Sequence, residues 1–263
     1  MNLRILSLGA GVQSTVLALM VENGDIPMVD GAIFADTKWE PRSVYHHLNW
    51  LEKQLSYPVY RVSAGDLRAD QMRGENSTGQ KFYTMPLYTA KGGMGRRQCT
   101  NEYKLSPIKK QIRKMLGVEY GKHVPKTAKV TQLIGISTDE AVRMKPSRDV
   151  WLTNEYPLID MEFSRQKCLA WFATNHPGRK LEKSACIGCP YHDNGTWRDM
   201  KKNDPVSWAD AVEFDKSIRK DTHEPGQFLH QKLQPLEEID FRTLEDLGQT
   251  NMFNDECEGM CGV

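Results

Sequence analysis

Residues 3–22, LRILSLGAGVQSTVLALMVE, decide the fold of this chain. A short apolar run breaks at the turn formed by residues 9–11 and then resumes with helical spacing, which predicts a strand, a tight turn and a helix. Glycines can adopt backbone conformations closed to other residues, and the turn is expected to leave the N–H groups of residues 12–15 free at a helix start. Such an end attracts anions. The residues concerned are Gly9, Ala10, Gly11, Gln13, Ser14 and Thr15, the last two adding hydroxyl donors. A turn that only packs tightly is the alternative.

Composition places the chain among ordinary globular proteins. It has 263 residues, 39% of them hydrophobic and 26% charged, with a formal net charge of +1. Global charge therefore predicts neither nucleic-acid nor membrane binding, and any basic patch must be local. No apolar segment reaches the ~20 residues that a membrane helix needs. Polar residues interrupt the N-terminal apolar run before it resembles a secretory signal, so the expected location is the cytoplasm.

Strand and helix patterns alternate after the opening stretch. Residues 28–37 and 57–63 are predicted as strands, and residues 129–137 as a fourth strand. Between the second and third, apolar residues repeat at helical spacing and predict a core-facing helix; they are Val44, Leu48, Leu51 and Leu55. The alternation predicts an α/β fold with a doubly wound, mostly parallel sheet. Ligands lie at the carboxyl ends of the strands in such sheets, where Asp36 and Thr37 would join the opening turn.

A long aperiodic segment, residues 74–97, is rich in Gly, Ser and Thr. A loop of that length is a lid, a binding segment or plain disorder. It leads through Arg97 to Cys99 and Lys104, after which Ser106 is predicted to cap a helix that begins with Pro107. That helix carries Lys109, Lys110, Arg113 and Lys114. Their cluster forms a solvated face or a receptor for a polyanion.

Polar residues also follow the fourth strand. Glu140 and Arg143 stand where this architecture places chemistry. Capping of a helix by Thr138 or Asp139 is the simpler explanation for the acidic residues, but it leaves Arg143 unexplained. Further on, a helix is predicted from about Ser164 to Thr174, and Cys168 falls on its apolar face as a buried core thiol.

Six cysteines in a chain without an export signal are expected to stay reduced. Cys186 and Cys189 form C-I-G-C, a knuckle that can aim two sulfurs at one metal, although a redox pair or chance is the alternative. Cys257 and Cys261 form a second pair near the end of the chain. Four thiolates suit a structural zinc or an iron–sulfur cluster equally. Cys99 lies among cations, where a thiol is reactive or metal-bound.

Five motifs in order give the chain a resemblance to PP-loop ATP pyrophosphatases of the adenine-nucleotide alpha-hydrolase group. The similarity is greatest to the phosphoadenosine-phosphosulfate-reductase-like branch, in forms often found in phages and prophages. The matches are GAGVQS at 9–14 to its S-G-G-x-D-S loop, Asp36-Thr37 to its D-T, Cys99 with Lys104 and Pro107 to its C-x4-K-x2-P, residues 135–143 to its G-x-R-x-x-E-S-x-x-R, and residues 184–190 to its S-x-C-x-x-C-P. Gln13 replaces the loop's Asp, Ser137 replaces the first Arg, and Arg143 falls one residue short of the second.

The resemblance implies a five-stranded sheet, ATP at the strand ends, Mg2+ and a 4Fe-4S cluster, with zinc as the alternative. It implies catalytic roles for Cys99, Lys104 and Arg143, nucleotide contacts for the opening turn, and metal ligation by a cysteine set. The nucleotide contacts would also include Asp36, Thr37, Arg97 and Glu140, and the metal ligands would be Cys99, Cys186, Cys189, Cys257 and Cys261. The family's double Cys is here Cys99-Thr100, so one ligand is missing, and a tail cysteine or an open iron would take its place.

Two reactions follow from the resemblance. In thiolation, ATP adenylylates an oxygen of a nucleic acid or nucleotide, and sulfur from an unspecified donor then displaces AMP. In reduction, a thiol attacks the sulfonyl group of a phosphosulfate on a small molecule. The open ligand position favours thiolation, and a nucleotide-binding subunit with structural zinc and no turnover is a third alternative. We expect a nucleotide-binding domain over residues 1–183, a cysteine-rich helical region over residues 184–263, no membrane partner, and a homodimer as one arrangement that could complete the site.

Overall fold

The structure, a computed structural model, describes residues 2–119, 121–220 and 226–242. The strands in chain order are β1 (Asn2–Leu8), β2 (Gly31–Ala35), β3 (Val59–Val62), β4 (Tyr88–Thr89), β5 (Lys129–Ile134), β6 (Leu152–Glu155) and β7 (Gln227–Phe228). The α-helices are α1 (Val12–Glu22), α2 (Arg42–Leu51), α3 (Leu67–Met72), α4 (Ser106–Met115), α5 (Pro157–Asp160), α6 (Arg165–Asn175), α7 (Asn194–Asn203) and α8 (Pro205–Arg219). The described residues also contain a π-helix (Thr100–Leu105) and 3-10 helices at Thr138–Arg143 and Leu236–Glu238.

The main sheet has five parallel strands in the order β3-β2-β1-β5-β6. Successive side chains of a strand point to opposite faces, so Leu6 joins an apolar cluster with α1, α2 and α6. Ile5 joins a second cluster with α4. Helices therefore cover both faces, and the predicted doubly wound parallel sheet is confirmed.

Helix α1 is buried on nearly every side. Residues 14–21 are all buried, and the helix ends at Glu22. A helix that is apolar around its whole circumference belongs in a core, and α1 packs on β1 and α6. This packing therefore fixes the position of the first turn of α1, which follows residues 9–11. Cys168 of α6 is 0% exposed, as predicted for a core thiol.

The described residues divide into two compact units. The first comprises Met1–Asp36, Arg42–Ser63 and Lys104–Ser184 and contains the main sheet. The second comprises Thr37–Pro41, Ala64–Tyr103 and the described residues from Ala185 onward. The sequence places one boundary between residues 183 and 184, and the chain indeed passes between the units after Ser184. It also passes between them at four earlier points, so residues 37–41 and 64–103 belong with the C-terminal unit.

Residues 74–97 are folded into the second unit, so the alternative of plain disorder is wrong for them. Met85 and Leu87 are buried in its apolar cluster. The amide of Gln71 accepts hydrogen bonds from Thr84 N and Met85 N at 2.8 and 3.1 Å, and Asn76 accepts from two nearby backbone N–H groups. Side-chain amides thus satisfy a backbone that lacks long strands or helices.

Two local predictions change and one holds. Ser106 does not cap a helix, because the π-helix leads directly into α4 and Leu105 already has helical φ and ψ of −68° and −43°. The fourth strand ends at Ile134 rather than residue 137. The helix predicted from about Ser164 to Thr174 is confirmed as α6, and Ser164 caps it by accepting a hydrogen bond from Lys167 N. In the described part of the chain, no helix has the length and apolar character to cross a membrane.

Candidate functional site

The order of the main sheet creates a crevice at one place. From β1 the chain turns to β2 on one side, whereas β5 leads to β6 on the other. Ligands in open α/β sheets bind outside the carboxyl ends of the strands where the order reverses in this way. The segments that leave β1 and β5 there are residues 9–11 and 135–143, both in the first unit.

The turn after β1 presents the amino end of α1. Gly11 has an extended backbone, and its N–H donates to Ser14 Oγ at 3.2 Å. The positive φ, +56°, belongs to Ala10 and not to either glycine, which corrects the expectation for Gly9 and Gly11. Thr15 N donates to Gly11 O at 2.9 Å, so the first helical bond removes Thr15 from the predicted donors. Residues 12–14 keep amides that no carbonyl of the helix can reach.

The segment after β5 packs directly against this turn. A Cβ at Gly135 would lie 2.8 Å from Ser14 N and 2.9 Å from Ser14 Cα. Real Cβ atoms do not approach backbone so closely, so this position needs glycine. The close approach fixes the distance between the two loops of the crevice.

A polar network joins the two loops. Gln13 Nε2 donates to Ser137 Oγ and to Glu140 Oε2, both at 3.3 Å. The second oxygen of Glu140 accepts from Arg143 at 2.5 Å, and each of these two side chains is only 14% exposed. Burial raises the pKa of Glu140, while Arg143 acts to lower it. The predicted residues Gln13, Glu140 and Arg143 are therefore brought together, with Ser137 between them.

Asp139 has a structural task that differs from the predicted one. Its Oδ2 accepts a hydrogen bond from Arg165 N, the first residue of α6, at 2.5 Å and another from Ser137 Oγ at 3.2 Å. It therefore supplies an acceptor to the first turn of α6, outside the 3-10 helix that contains it. The network thus extends from the opening turn to α6.

Two other predicted residues are tied to α2. Asp36 is buried and accepts a hydrogen bond from Tyr45 OH at 2.8 Å. Thr15 Oγ1 lies 2.9 Å from His47 Nε2 inside the core. Burial, reinforced by Arg179, lowers the pKa of His47 to about 4, so its imidazole is neutral near pH 7. The Thr15 hydroxyl is thus engaged with His47, which differs from the phosphate contact expected for it.

The second unit holds the cysteine knuckle. Cys186 and Cys189 are buried, and Cys189 N donates to Cys186 O at 3.1 Å. His192 Nε2 lies 3.0 Å from the same carbonyl and 3.2 Å from Ile187 O, so the ring supports the backbone of the knuckle. Gly188 packs on Trp39, whose Cη2 would lie 2.2 Å from an added Cβ. Glycine is therefore required between the two thiols, because the Trp39 ring leaves no space for a side chain.

Cys186 has a carboxylate neighbour that the motifs did not indicate. Its Sγ lies 3.4 Å from Thr37 Oγ1 and 3.7 Å from Glu40 Oε1, and Glu40 is only 4% exposed. Thr37 was predicted to contact the nucleotide, and here it contacts the thiol. Glu40 stands three residues after Thr37 with no spacing pattern of its own, so only the fold shows that it belongs to this group.

Cys99 packs against the same apolar cluster as Cys186 and Cys189. Its N–H donates to Thr84 O at 2.9 Å, and the Arg97 guanidinium lies 5.4 Å from the centre of the Tyr191 ring. Lys104, in the last turn of the π-helix, belongs to the first unit.

A 4Fe-4S cluster or a four-thiolate zinc needs more than these residues offer. Among the described residues, no three His, Cys, Asp or Glu side chains are grouped so as to hold a metal ion. The described cysteines alone therefore do not fit either group. Cys257 and Cys261 lie outside the described residues.

Comparison with known proteins finds similarity among solved structures. No family model matches the chain, and no curated protein matches it. One match is the crystal structure of phosphoadenylyl-sulfate reductase from Candida auris in complex with phosphate, at 14% identity and a TM-score of 0.43. The match covers 69% of this chain and 74% of the reductase.

Proposed function

We propose that this protein is an ATP-dependent sulfur-transfer enzyme acting on a nucleic acid or nucleotide. An oxygen of the acceptor attacks the α-phosphorus of ATP, pyrophosphate leaves, and sulfur from a donor then attacks the activated carbon and releases AMP. The observation that supports this proposal is the crevice between β1 and β5. There the amino end of α1, the close approach of Gly135 and the network of Gln13, Glu140 and Arg143 occur together.

Each residue of the crevice has a proposed task. The amides of residues 12–14 donate to phosphate oxygens at the positive end of the helix dipole. Arg143 supplies positive charge for the leaving pyrophosphate, and Glu140 holds the guanidinium in place before the substrate arrives. Charges positioned in advance are usually the largest contribution to catalysis. We assign Lys104 and Arg97 to the same neutralisation of phosphate charge, and Asp36 to the adenosine.

Mg2+ would need an oxygen ligand near the turn. Gln13 offers no charge to a hard cation, and its amide N–H group points to Glu140. Glu140 is then the carboxylate on this network that could bind Mg2+. Since its second oxygen accepts from Arg143, metal binding would have to compete with that ion pair.

The cofactor proposal concerns the complete cysteine set. Iron–sulfur binding, or zinc in its place, would use Cys99, Cys186 and Cys189 together with Cys257 or Cys261. A bound cluster with an open iron would supply a site for sulfide. The described residues alone do not complete the ligand set.

A phosphosulfate reductase is the second candidate. The neutral side chain of Gln13 favours it, because a reduction by thiol attack on sulfur does not require the magnesium that ATP adenylylation uses. Its nucleophile would be a tail cysteine. A nucleotide-binding subunit with structural zinc and no turnover is a third alternative. We also propose a cytoplasmic location, which would keep the thiols reduced, and a homodimer as the form to be tested.

Pyrophosphate release from ATP separates these functions. We expect release that increases when bulk tRNA or DNA is added to anaerobically purified protein, and that falls at least tenfold in Arg143→Gln. A protein that binds phosphosulfate and ignores ATP is the reductase. Binding of ATP without release of pyrophosphate under any of these conditions would identify the non-catalytic subunit. An Arg42→Gln variant, with the change on the exposed surface of α2, is the matched control.

A further inference from the structure

Positive charge is concentrated in one part of the chain. Residues 104–129 contain eight Lys and Arg and one Glu, a net charge of +7 in a chain whose total is +1. The remaining residues therefore carry a net charge of −6. An uneven distribution of this size is the electrostatic pattern of a surface for a polyanion, although the protein as a whole is nearly neutral.

Helix α4 carries four of these cations on a well-anchored scaffold. Ile108 and Ile112 are buried in the cluster that packs on the sheet, while Lys110 and Lys114 are exposed. A helix of ten residues is about 15 Å long. The cations thus form a row along the helix, and a single nucleotide could occupy only part of it.

The segment between the 3-10 helix Thr138–Arg143 and β6 lies beside α4 and extends the row. Lys109 Nζ forms an ion pair with Asp149 at 2.6 Å. Tyr156 OH donates to Lys145 O at 2.6 Å and accepts from Lys145 N at 3.0 Å, and Asn154 also donates to that carbonyl. The backbone is therefore held, while the side chains of Lys145 and Arg148 are exposed.

Apolar side chains accompany these cations. Val142 is 89% exposed and Val150 is 104% exposed, and Met144 is exposed as well. Exposed valines on an anchored backbone offer contact to sugars and bases, which a purely ionic surface would lack. Such a mixture of cations and apolar groups suits a nucleic acid, whose charges repeat and whose bases are apolar on their faces.

We infer that the basic face, defined as α4 with residues 142–150, binds the phosphate backbone of a nucleic acid. The inference rests on the proposed function, because it identifies the acceptor as a nucleic acid and not a free nucleotide. All residues of the basic face belong to the first unit, which also carries the crevice between β1 and β5. Binding there would hold the acceptor by its backbone, independently of sequence.

The test is a binding titration of the full chain without ATP. Fluorescence anisotropy is measured with labelled bulk tRNA, duplex DNA and single-stranded DNA over a series of salt concentrations. The variant Lys110→Gln/Lys114→Gln/Arg148→Gln removes three exposed cations of the basic face. The control Arg42→Gln/Lys53→Gln/Lys180→Gln also removes two lysines and one arginine, all of them exposed. These three residues lie in or near helices that pack on the opposite face of the sheet.

We expect at least one nucleic acid to bind, with an affinity that the first variant lowers about tenfold or more and the control leaves unchanged. Each lost phosphate contact reduces the slope of log affinity against log salt by about 0.7–0.9, so the slope should fall by about 2–3. The arm with the tightest binding identifies RNA or DNA. Equal binding by wild type and variant, or equally strong competition by polyglutamate, would overturn the inference.

Failure of the inference can be told from failure of the proposed function. Salt-dependent binding that requires the basic face, without any pyrophosphate release, supports the surface and contradicts the adenylylation chemistry. If a nucleic acid stimulates pyrophosphate release and binds the variant as tightly as the wild type, the adenylylation chemistry is supported and the basic face is not the binding surface. Circular dichroism and ATP binding, measured on every variant, verify that the first unit remains folded.

Discussion

At the scale of single residues, glycines at close approaches determine the candidate site more strongly than glycines in the turn. Gly9 would tolerate a Cβ, whose nearest neighbour would be Ser14 Oγ at 3.6 Å. Gly135 would not, because the obstructing atoms are backbone. The opening turn is thus shaped by its partner loop, and the residue with left-handed backbone is Ala10.

Gly135→Ala should damage the crevice. The added methyl group would force β5 and the start of α1 apart, at a cost of about 1–3 kcal/mol in the free energy of unfolding, and ATP affinity should fall with it. Urea unfolding and ATP titration measure the two effects. Gly9→Ala is the control for stability, and an equal loss in both variants would show that the close approach does not matter.

Gly188→Ala should loosen the cysteine knuckle. The new Cβ would overlap Trp39, which cannot move easily because its Nε1 donates to Asp210 and its ring packs on Phe214. We expect a loss of about 1–3 kcal/mol, measured by urea unfolding. In Gly95→Ala the added Cβ would meet atoms only at 3.6 Å or more, so this variant should remain near wild type. A stable Gly188→Ala protein would contradict the packing described here.

At the scale of elements, patterns predicted long helices and central strands, and missed short or irregular ones. β1, β2 and α6 follow from apolar spacing within a few residues. β6 has four residues at the edge of the sheet, three of them polar, and shows no alternation that a pattern could detect. Residues 74–97 look like a loop because their backbone pairing is short, as in β4 with β7, and their order also depends on the side chains of Gln71 and Asn76.

Helix α8 anchors the last described segment, residues 226–242, through one carboxylate. Asp215 is fully buried and accepts hydrogen bonds from Leu229 N and Leu236 N at 3.2 and 3.1 Å and from Arg219 Nε at 2.9 Å. Removing it would leave two amides and a guanidinium without this acceptor. The free-energy cost of leaving a buried donor unpaired exceeds the net stabilisation that its hydrogen bond provides.

Asp215→Ala should therefore destabilise the second unit by about 3–5 kcal/mol and accelerate proteolysis of residues 226–242. Limited proteolysis with mass spectrometry measures the rate of cleavage. Glu213→Ala, on the same helix, removes an exposed ion pair with Arg68 and should change stability by less than about 1 kcal/mol. Similar cleavage rates in the two variants would show that Asp215 is not the anchor.

At the scale of the whole molecule, buried histidines link stability to pH. The pKa of His47 falls to about 4 in the folded protein from an ordinary value of 6.5. The unfolded chain therefore binds the proton more readily between these values, and stability must fall as pH decreases from 6.5 to 4. His47 accounts for a loss of about 3 kcal/mol in the free energy of unfolding over this pH range. His230, whose pKa is also lowered to about 4, acts in the same direction.

His47→Gln should weaken this pH dependence while its amide can still bond to Thr15. Thermal unfolding at pH 6.5, 5.5 and 4.5 should show a smaller decrease in melting temperature than the wild type. His46→Gln changes an exposed neighbour and should retain the wild-type slope. A slope that His47→Gln leaves unaltered would mean that His47 is already charged or solvated in the folded state.

The cysteine pairs make a prediction for the complete chain. If Cys257 or Cys261 completes the ligand set, Cys257→Ser/Cys261→Ser should lose most of the bound iron or zinc in anaerobically purified protein, because a site that lacks one of its four thiolates binds the metal more weakly. Metal and sulfide analysis gives the content. Cys168→Ala is the control, since burial raises the pKa of that thiol to about 12 and it packs in the core. Unchanged metal in the double variant would exclude the tail from the site.

The sequence by itself determined the central strands, their helices and the doubly wound sheet, because apolar spacing and turn chemistry act over a few residues and need no distant partner. It also indicated which residues follow the strands. Only the tertiary structure decided how they are used: Gln13 meets Glu140 from 127 positions away, and Cys186 meets Glu40 from 146 positions away. Contacts of that kind depend on the strand order and on the space between loops. The opening stretch therefore predicts an anion site, and only the pairing of β5 with β1 shows which residues lie opposite it.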